Sequence, residues 1–274
     1  MPGRAASEGG AACSDNIFKG RYSMDFAGIF DKNFFSFAEM LGGAPGGGIL
    51  RLTAPSLAAA SGQPHAGENY ALLAEGAGRE DVEAAAGFFA GRGAGFVTPW
   101  LPRTPQAVAR ALEERGIERR RIYTSMYLPL EAGRGKDARE AVRVTGENSA
   151  RWAEAAWFAF GGEAGEAAEA YVPFGKYLAK HPKNRAFALE EEGRFVSTAL
   201  IHETDDAYGL YYFATVPERR RRGLAAKLMD GVTAALPEKK PLVLLATEAG
   251  LPFYINYGFK IIDKVPIYCA GDDI

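Results

Sequence analysis

Cysteine and histidine are scarce. Two cysteines, Cys13 and Cys269, and three histidines, His65, His181 and His202, stand far apart in a chain of 274 residues. That supply excludes a disulfide framework and a thiolate or imidazole metal cluster, so no metal is expected. Long apolar runs are missing too: none reaches the roughly 18 residues that a membrane-spanning helix needs. Ala11-Ala12-Cys13 has the form of a lipoprotein cleavage site, but without an apolar segment ahead of it no lipid anchor is expected. Charge of one sign is also lacking, because 32 Lys and Arg against 34 Asp and Glu leave a net −2. Nucleic acid or an anionic membrane would find no broad positive field to hold it. The expectation is a cytoplasmic, metal-free protein.

What remains is ordinary for a soluble globular chain, with 47% hydrophobic and 24% charged residues. The length fits two domains better than one. Gly42 to Gly48 is glycine-rich but no Lys-Ser/Thr follows, and Ile49 to Thr53 reads as a strand, so it is a turn and not a phosphate loop. Asn69 to Glu75 then reads as a strand, Glu80 to Phe89 as a helix and Gly95 to Leu101 as a second strand. Thr104-Pro105 has the pattern of an N-cap and first helical residue for a helix that Gly116 stops, and Ile117 to Leu130 is extended. Residues 131–140 are charged, contain glycine and lack apolar periodicity, which places a boundary between 1–135 and 136–274.

The second half opens with a strand at Val142 and two helical regions, around Trp152 to Phe158 and Tyr171 to Lys180. Three extended segments follow, Ala186 to Glu190, Arg194 to Glu203 and Tyr208 to Thr215, with turns between them that mark an antiparallel meander. Beyond them helix (Gly223 to Ala235), strand (Leu242 to Thr247), helix (Leu251 to Tyr257) and strand (Phe259 to Cys269) alternate. The fold class is mixed α/β.

The sharpest chemical signal is Thr215-Val216-Pro217-Glu218-Arg219-Arg220-Arg221-Arg222-Gly223-Leu224-Ala225. A strand runs into a basic turn that opens a helix, where the first N–H groups lack intrahelical partners and the dipole favours an anion. A pyrophosphate fits such a place, with Gly223 and Ala225 keeping side-chain bulk away from it. By itself the run is equally readable as a solvated arginine stretch. Arg220, Gly223 and Ala225 match the Arg/Gln-x-x-Gly-x-Gly/Ala motif of the GCN5-related N-acetyltransferase (GNAT) superfamily, which the chain resembles here. Tyr254-Ile255-Asn256-Tyr257-Gly258-Phe259 is similar to that family's second motif, and two motifs in order are far more specific than one. Thr247 and Gly250 depart from it, since relatives often carry asparagine and alanine there.

The resemblance implies acetyl-CoA as co-substrate and two acyl-CoA N-acyltransferase-like halves, each a mixed, mostly antiparallel sheet flanked by helices. It implies that the strand ending at Thr215 parts from the next one, so that the pantetheine arm pairs with backbone near Phe213, Ala214 and Thr215. The pyrophosphate would lie against Arg220, Arg221, Arg222, Gly223, Leu224, Ala225 and Ala226. An amine of a small molecule or peptide would attack the thioester directly, and Tyr254 would give the proton to the leaving sulfur. A packed aromatic is the plain alternative for Tyr254. The resemblance names no base: Glu203, Asp205 and Asp206 read as turn or surface carboxylates, and His202, the best imidazole candidate, as structural. A monomer or homodimer is expected.

The first half resembles the same fold in lapsed form. Helix Pro105 to Arg115 followed by Gly116-Ile117 parallels Leu251 to Tyr257 followed by Gly258-Phe259, and Leu112 falls where Tyr254 falls. No Arg-x-x-Gly-x-Ala occurs in residues 1–140, and Glu80, Asp81 and Glu83 crowd the only suitable helix start. One active and one lapsed half are therefore expected. The competing classes are a non-catalytic acyl-CoA sensor or scaffold, separable by turnover, and a polyanion binder using Arg119 to Arg121 and Arg219 to Arg222, separable by salt dependence.

Overall fold

The computed structural model describes residues 25–130, 140–237 and 240–271. Cys13, with the Ala11-Ala12-Cys13 segment, and the expected boundary up to residue 139 lie outside them. The first half comprises α1 (Phe26–Gly42), β1 (Gly48–Arg51), β2 (Leu57–Ala60), a 3₁₀ turn (Ala66–Glu68), β3 (Tyr70–Leu72), α2 (Arg79–Ala90), β4 (Phe96–Pro99), α3 (Gln106–Glu114) and β5 (Glu118–Leu128). The second comprises β6 (Ala141–Arg143), α4 (Ser149–Ala159), α5 (Glu166–Lys180), β7 (Asn184–Glu191), β8 (Arg194–Glu203), β9 (Tyr208–Thr215), a 3₁₀ turn (Pro217–Arg219), α6 (Leu224–Ala235), β10 (Leu242–Ala246), α7 (Leu251–Tyr257) and β11 (Lys260–Ala270).

All eleven strands join one sheet, in the order β1-β2-β3-β4-β11-β5-β10-β9-β8-β7-β6. Pairing is antiparallel except at β3–β4 and β9–β10, which are parallel. The halves exchange their last strands. β11 of the second half lies between β4 and β5, while β5 of the first half lies between β11 and β10. The sequence pattern gives no sign of this exchange, because alternation in a strand sets which face it buries and not which neighbour it takes.

The period-2 alternation sends side chains to two layers of helices. On one face, Leu228, Met229 and Val232 of α6 pack with Ile201, Leu210 and Leu244. α2 and α3 cover the first half's strands with Val82, Phe89, Val108 and Leu112. On the opposite face, Trp152 and Phe174 of α4 and α5 meet Ala186 and Leu200. α1 lies on that same face and spans both halves: Phe30 and Phe34 pack with Leu57 and Val97, Phe37 and Leu41 with Trp152 and Leu178. Its Asn33 is wholly buried, donating to the His202 carbonyl (3.1 Å) and accepting from the Tyr211 hydroxyl (2.9 Å).

The helix expected to start at Thr104-Pro105 begins one residue later, at Gln106, and Thr104 is not its N-cap. The Thr104 hydroxyl instead donates to the Leu73 carbonyl (2.8 Å) and accepts from the Leu101 N–H (3.1 Å). A long-range partner has taken the oxygen that a cap would use. β2 (LAAA) also escaped the sequence reading, since alanine has little strand preference and all four residues are buried.

Candidate functional site

β9 and β10 pair only at Tyr208–Leu242 and Gly209–Val243; beyond Gly209 they part. β10 continues to pair with β5 as far as Ala246, and β9 with β8 as far as Thr215, so each strand keeps one neighbour and turns an open edge to the gap. A bulge sharpens the divergence. Between Thr198–Ala214 and Leu200–Tyr211 the register shifts, and Tyr212 sits there at φ +47. The Thr198 hydroxyl holds that turn by donating to the Tyr212 carbonyl (2.9 Å). Phe213, Ala214 and Thr215 are half-buried along the open edge.

The gap leads to the basic turn. Arg221 and Gly223 have φ of +63 and +78, and α6 starts at Leu224. Among the described residues, the backbone N–H groups of residues 221–226 have no acceptor, the first intrahelical bond being Lys227 N–H to the Gly223 carbonyl (3.2 Å). A Cβ on Gly223 would meet nothing within 4 Å, so open space lies over the helix start and the left-handed backbone supplies the reason for glycine. The four arginines divide. Arg219 pairs with Glu191 (3.5 Å) and Glu192 (2.9 Å). Arg220 donates to the carbonyls of Thr215 (2.9 Å) and Ala159 (3.0 Å), tying the end of β9 to the end of α4. Arg221 and Arg222 are exposed.

Tyr254 projects from α7 toward the same region. Its ring packs against Phe213 of β9 (centroids 6.1 Å), Phe253 (5.3 Å) and Phe259 (5.4 Å). Burial pushes its hydroxyl well above the ordinary tyrosine range, and among the described residues that hydroxyl has no hydrogen-bond partner. Thr247, where relatives often carry asparagine, caps the turn before α7: its Oγ1 accepts from the Gly250 N–H (3.2 Å). Gly250 lies close under the Tyr254 ring, which a Cβ there would approach to 3.1 Å.

Residues 182–261 match the family model described as the acetyltransferase (GNAT) domain, and that stretch contains the parted strands, the basic turn and Tyr254. Over residues 182–261 the chain is similar to the GNAT acetyltransferase domain. Solved structures extend the likeness of fold to both halves. A GCN5-related N-acetyltransferase from Kribbella flavida superposes with a TM-score of 0.61 at 16% identity, over 88% of this chain and 95% of that one. A tandem GNAT protein from the clavulanic acid biosynthesis pathway gives 0.53 at 13%, over 90% and 97%. A GCN5-related N-acetyltransferase from Sphaerobacter thermophilus gives 0.50 at 17%, over 71% and 69%. Among curated proteins, none matches.

Outside the matched stretch, the first half has a counterpart of the GNAT gap, but its own side chains fill it. β3 and β4 pair only at Tyr70–Val97. On the gap side the Leu73 carbonyl accepts from the Thr104 hydroxyl (2.8 Å), while on the β2 side the Ala74 N–H donates to Ser56 Oγ (2.9 Å). At the helix start, the Asp81 carboxylate accepts from the Gly78 N–H (2.9 Å) and the Thr53 N–H (2.8 Å). Desolvation pushes the Asp81 pKa up, but the backbone donors outweigh it and hold the group below the usual carboxylate range. An internal anion thus stands where a phosphate would go. Leu112, the counterpart of Tyr254, is wholly buried.

His202 sits on β8 but faces α1, and it is wholly buried. Asn184 Nδ2 donates to the Leu178 carbonyl (2.8 Å), which fixes the amide so that Oδ1 accepts from His202 Nδ1–H (2.7 Å). Nε2 then accepts from Ser36 Oγ (2.9 Å), whose oxygen in turn takes the Lys183 ammonium (3.4 Å). Burial, with Lys183 and His181 nearby, holds its pKa down to about 3. The imidazole is a neutral structural link. Below the unfolded value of about 6.5 the unfolded chain binds a proton that the native state refuses, so stability falls as pH drops toward 3. Urea unfolding between pH 7 and 4 is expected to show this as up to about 1.4 kcal/mol per pH unit, a contribution that His202→Gln removes.

Glu203 is also tied up, by Arg185 (2.6 Å) and Lys240 (3.1 Å), and Asp206 pairs with Lys32 (3.1 Å) at the surface. One acidic group that no sequence motif points to meets β9 at the bulge. Glu68, on the first half's 3₁₀ turn, accepts the hydroxyl of Tyr212 at the bulge. Its sequence context, Ala66-Gly67-Glu68-Asn69, is that of any surface turn, and only the fold brings it to β9.

Proposed function

We propose that this chain is an acetyl-CoA-dependent N-acetyltransferase, with residues 136–274 binding acetyl-CoA and residues 1–135 completing the sheet and shaping the acceptor side. One observation carries the reading: a strand edge opened by a bulge leads directly into a helix start whose N–H groups have no partner. The open edge at Phe213, Ala214 and Thr215 offers amide groups to a pantetheine arm, as an edge strand offers them to an added strand. The N–H groups of residues 221–226 and the α6 dipole offer a seat for the pyrophosphate, with Arg221 and Arg222 adding charge from the rim. Arg220 contributes by holding the turn in shape through the Thr215 and Ala159 carbonyls.

In the reaction an amine nitrogen attacks the thioester carbonyl, the C–S bond breaks, and the Tyr254 hydroxyl supplies the proton that the sulfur takes. A hydroxyl whose pKa is raised by burial is still protonated at neutral pH, as a general acid must be. α7 is well placed to deliver it, since Phe213 on the open edge is the ring that Tyr254 packs against.

Calorimetry with CoA tests the seat. One CoA per chain is expected, because in the first half Asp81 and Thr104 already take the corresponding groups. At a hundred times Kd, CoA should stabilise the native state by about 2.7 kcal/mol. Gly223→Val should abolish that gain: the position is exposed, so the fold survives, but a β-branched residue at φ +78 is strained and would put bulk over the helix start. Unaltered CoA affinity in Gly223→Val, or two equivalent sites per chain, would overturn the assignment.

A further inference from the structure

Glu68 is a half-buried carboxylate without a cation. Among the described residues no arginine or lysine pairs with it, and its hydrogen-bond partner is the Tyr212 hydroxyl. Around it stand aromatic rings from both halves. Tyr212 lies 5.9 Å from Phe160 and 6.0 Å from Trp152, and Trp157 lies 5.2 Å from Tyr171 and 5.8 Å from His65. Phe160 is 61% exposed, so the collar opens to solvent at the end of α4, where Arg220 ties α4 to the turn after β9. A carboxylate with no counterion, set among aromatic rings, is a site for a cation, since the carboxylate and the ring quadrupoles attract the same charge.

We propose that Glu68, supplied by the half that holds no acetyl-CoA, anchors the acceptor amine and takes its proton, and that the acceptor is a primary ammonium on an aromatic or apolar body with no carboxylate of its own. The inference rests on the acetyltransferase reading above. With no arginine or lysine paired to Glu68, an amino acid's carboxylate would find no cation at that group to offset its repulsion by the Glu68 carboxylate. Tyr212 links the two functions, because its backbone forms the bulge that opens the β9 edge and its hydroxyl touches Glu68. Of the three ammonium protons, one passes to Glu68 before attack. A second leaves the nitrogen once the C–N bond has formed and replaces the proton that Tyr254 gave to sulfur. The third stays on the amide.

Burial raises the Glu68 pKa to about 7, partly offset by the Tyr212 hydrogen bond. Activity should therefore rise with pH through that value, as the carboxylate becomes free to accept a proton. The other titratable groups facing it are Tyr70, Tyr171 and Tyr212, which burial keeps protonated throughout that range, and His65 beyond Trp157.

Full-length wild type and Glu68→Gln are compared by CoA release from acetyl-CoA with tyramine, phenethylamine, tyrosine and phenylalanine, alongside calorimetric CoA affinity. Gln keeps an oxygen for Tyr212, so the fold is retained. In wild type the two amines should exceed the two amino acids at least tenfold in kcat/KM. In Glu68→Gln, kcat/KM for tyramine should fall by roughly 10²–10³, the rise near pH 7 should vanish, and CoA affinity should stay within twofold. Amino acids preferred over the amines, or a Glu68→Gln profile like wild type, would each overturn the Glu68 assignment alone, whereas CoA binding with no turnover of any of the four would favour a non-catalytic sensor and overturn both readings. Failure of wild type to bind CoA would overturn the acetyltransferase reading and this inference with it.

Discussion

A fragment that starts at Ala141 is expected to show no cooperative unfolding transition, although it contains every residue matched by the GNAT family model. The missing piece is β5. It pairs with β10 from Leu242 to Ala246 and with β11 from Lys260 to Cys269, so its loss leaves both strands without their shared neighbour. β10 would then be held only by its two pairs with β9, and β11 by no strand of its own half. Met126 and Leu128 would leave the core beneath α6, where both are essentially fully buried. Emptying each such position costs about 2–5 kcal/mol, and two of them approach the whole stability of a typical domain, about 5–15 kcal/mol, before any lost strand pairing is counted. Far-UV circular dichroism with urea titration reads the outcome. A soluble fragment 141–274 with a sharp transition and full CoA affinity would show that the exchanged strand is dispensable.

Tyr254→Phe should lower kcat by roughly 10²–10⁴ while leaving CoA affinity within twofold. The substitution keeps the ring and its contacts with Phe213, Phe253 and Phe259, so packing is not what changes. Because no described residue hydrogen-bonds the Tyr254 hydroxyl, its removal orphans no protein group. The raised pKa keeps the acid protonated across the neutral range, so wild type should show no loss of activity assignable to this group below about pH 10. Steady-state CoA release over pH 6 to 10 checks both points. A kcat within twofold of wild type would return Tyr254 to the role of packed aromatic.

The parts of this site legible in the sequence are those whose chemistry is local. Gly223 after a basic turn and before an apolar helix, and Tyr254 four residues ahead of Gly258, each carry their meaning within a dozen residues. The β7–β8–β9 meander was equally readable from alternation and turn residues. What escaped depends on distant partners. α1 keeps only a narrow exposed stripe, at Lys32 and Glu39, and nothing local says that its broad apolar face bridges both halves. Arg220 matches the phosphate motif yet spends its guanidinium on two carbonyls, and Thr104 has the look of a cap yet bonds Leu73. Glu68 meets Tyr212 across 144 residues of chain, and no local pattern encodes such a meeting.

The strand exchange also sets the order in which the molecule can be finished. β4 and β5 are synthesised long before β11, which must come to lie between them, and Ser125 meets Asp263 across 138 residues. Until β11 arrives, the growing chain holds two strands with bare edges at what becomes the middle of the sheet, the arrangement most open to pairing with another chain. Closure by so distant a strand makes for slow folding. It also joins the inheritance of the two halves: a half that lends a central strand cannot be lost or traded for another domain.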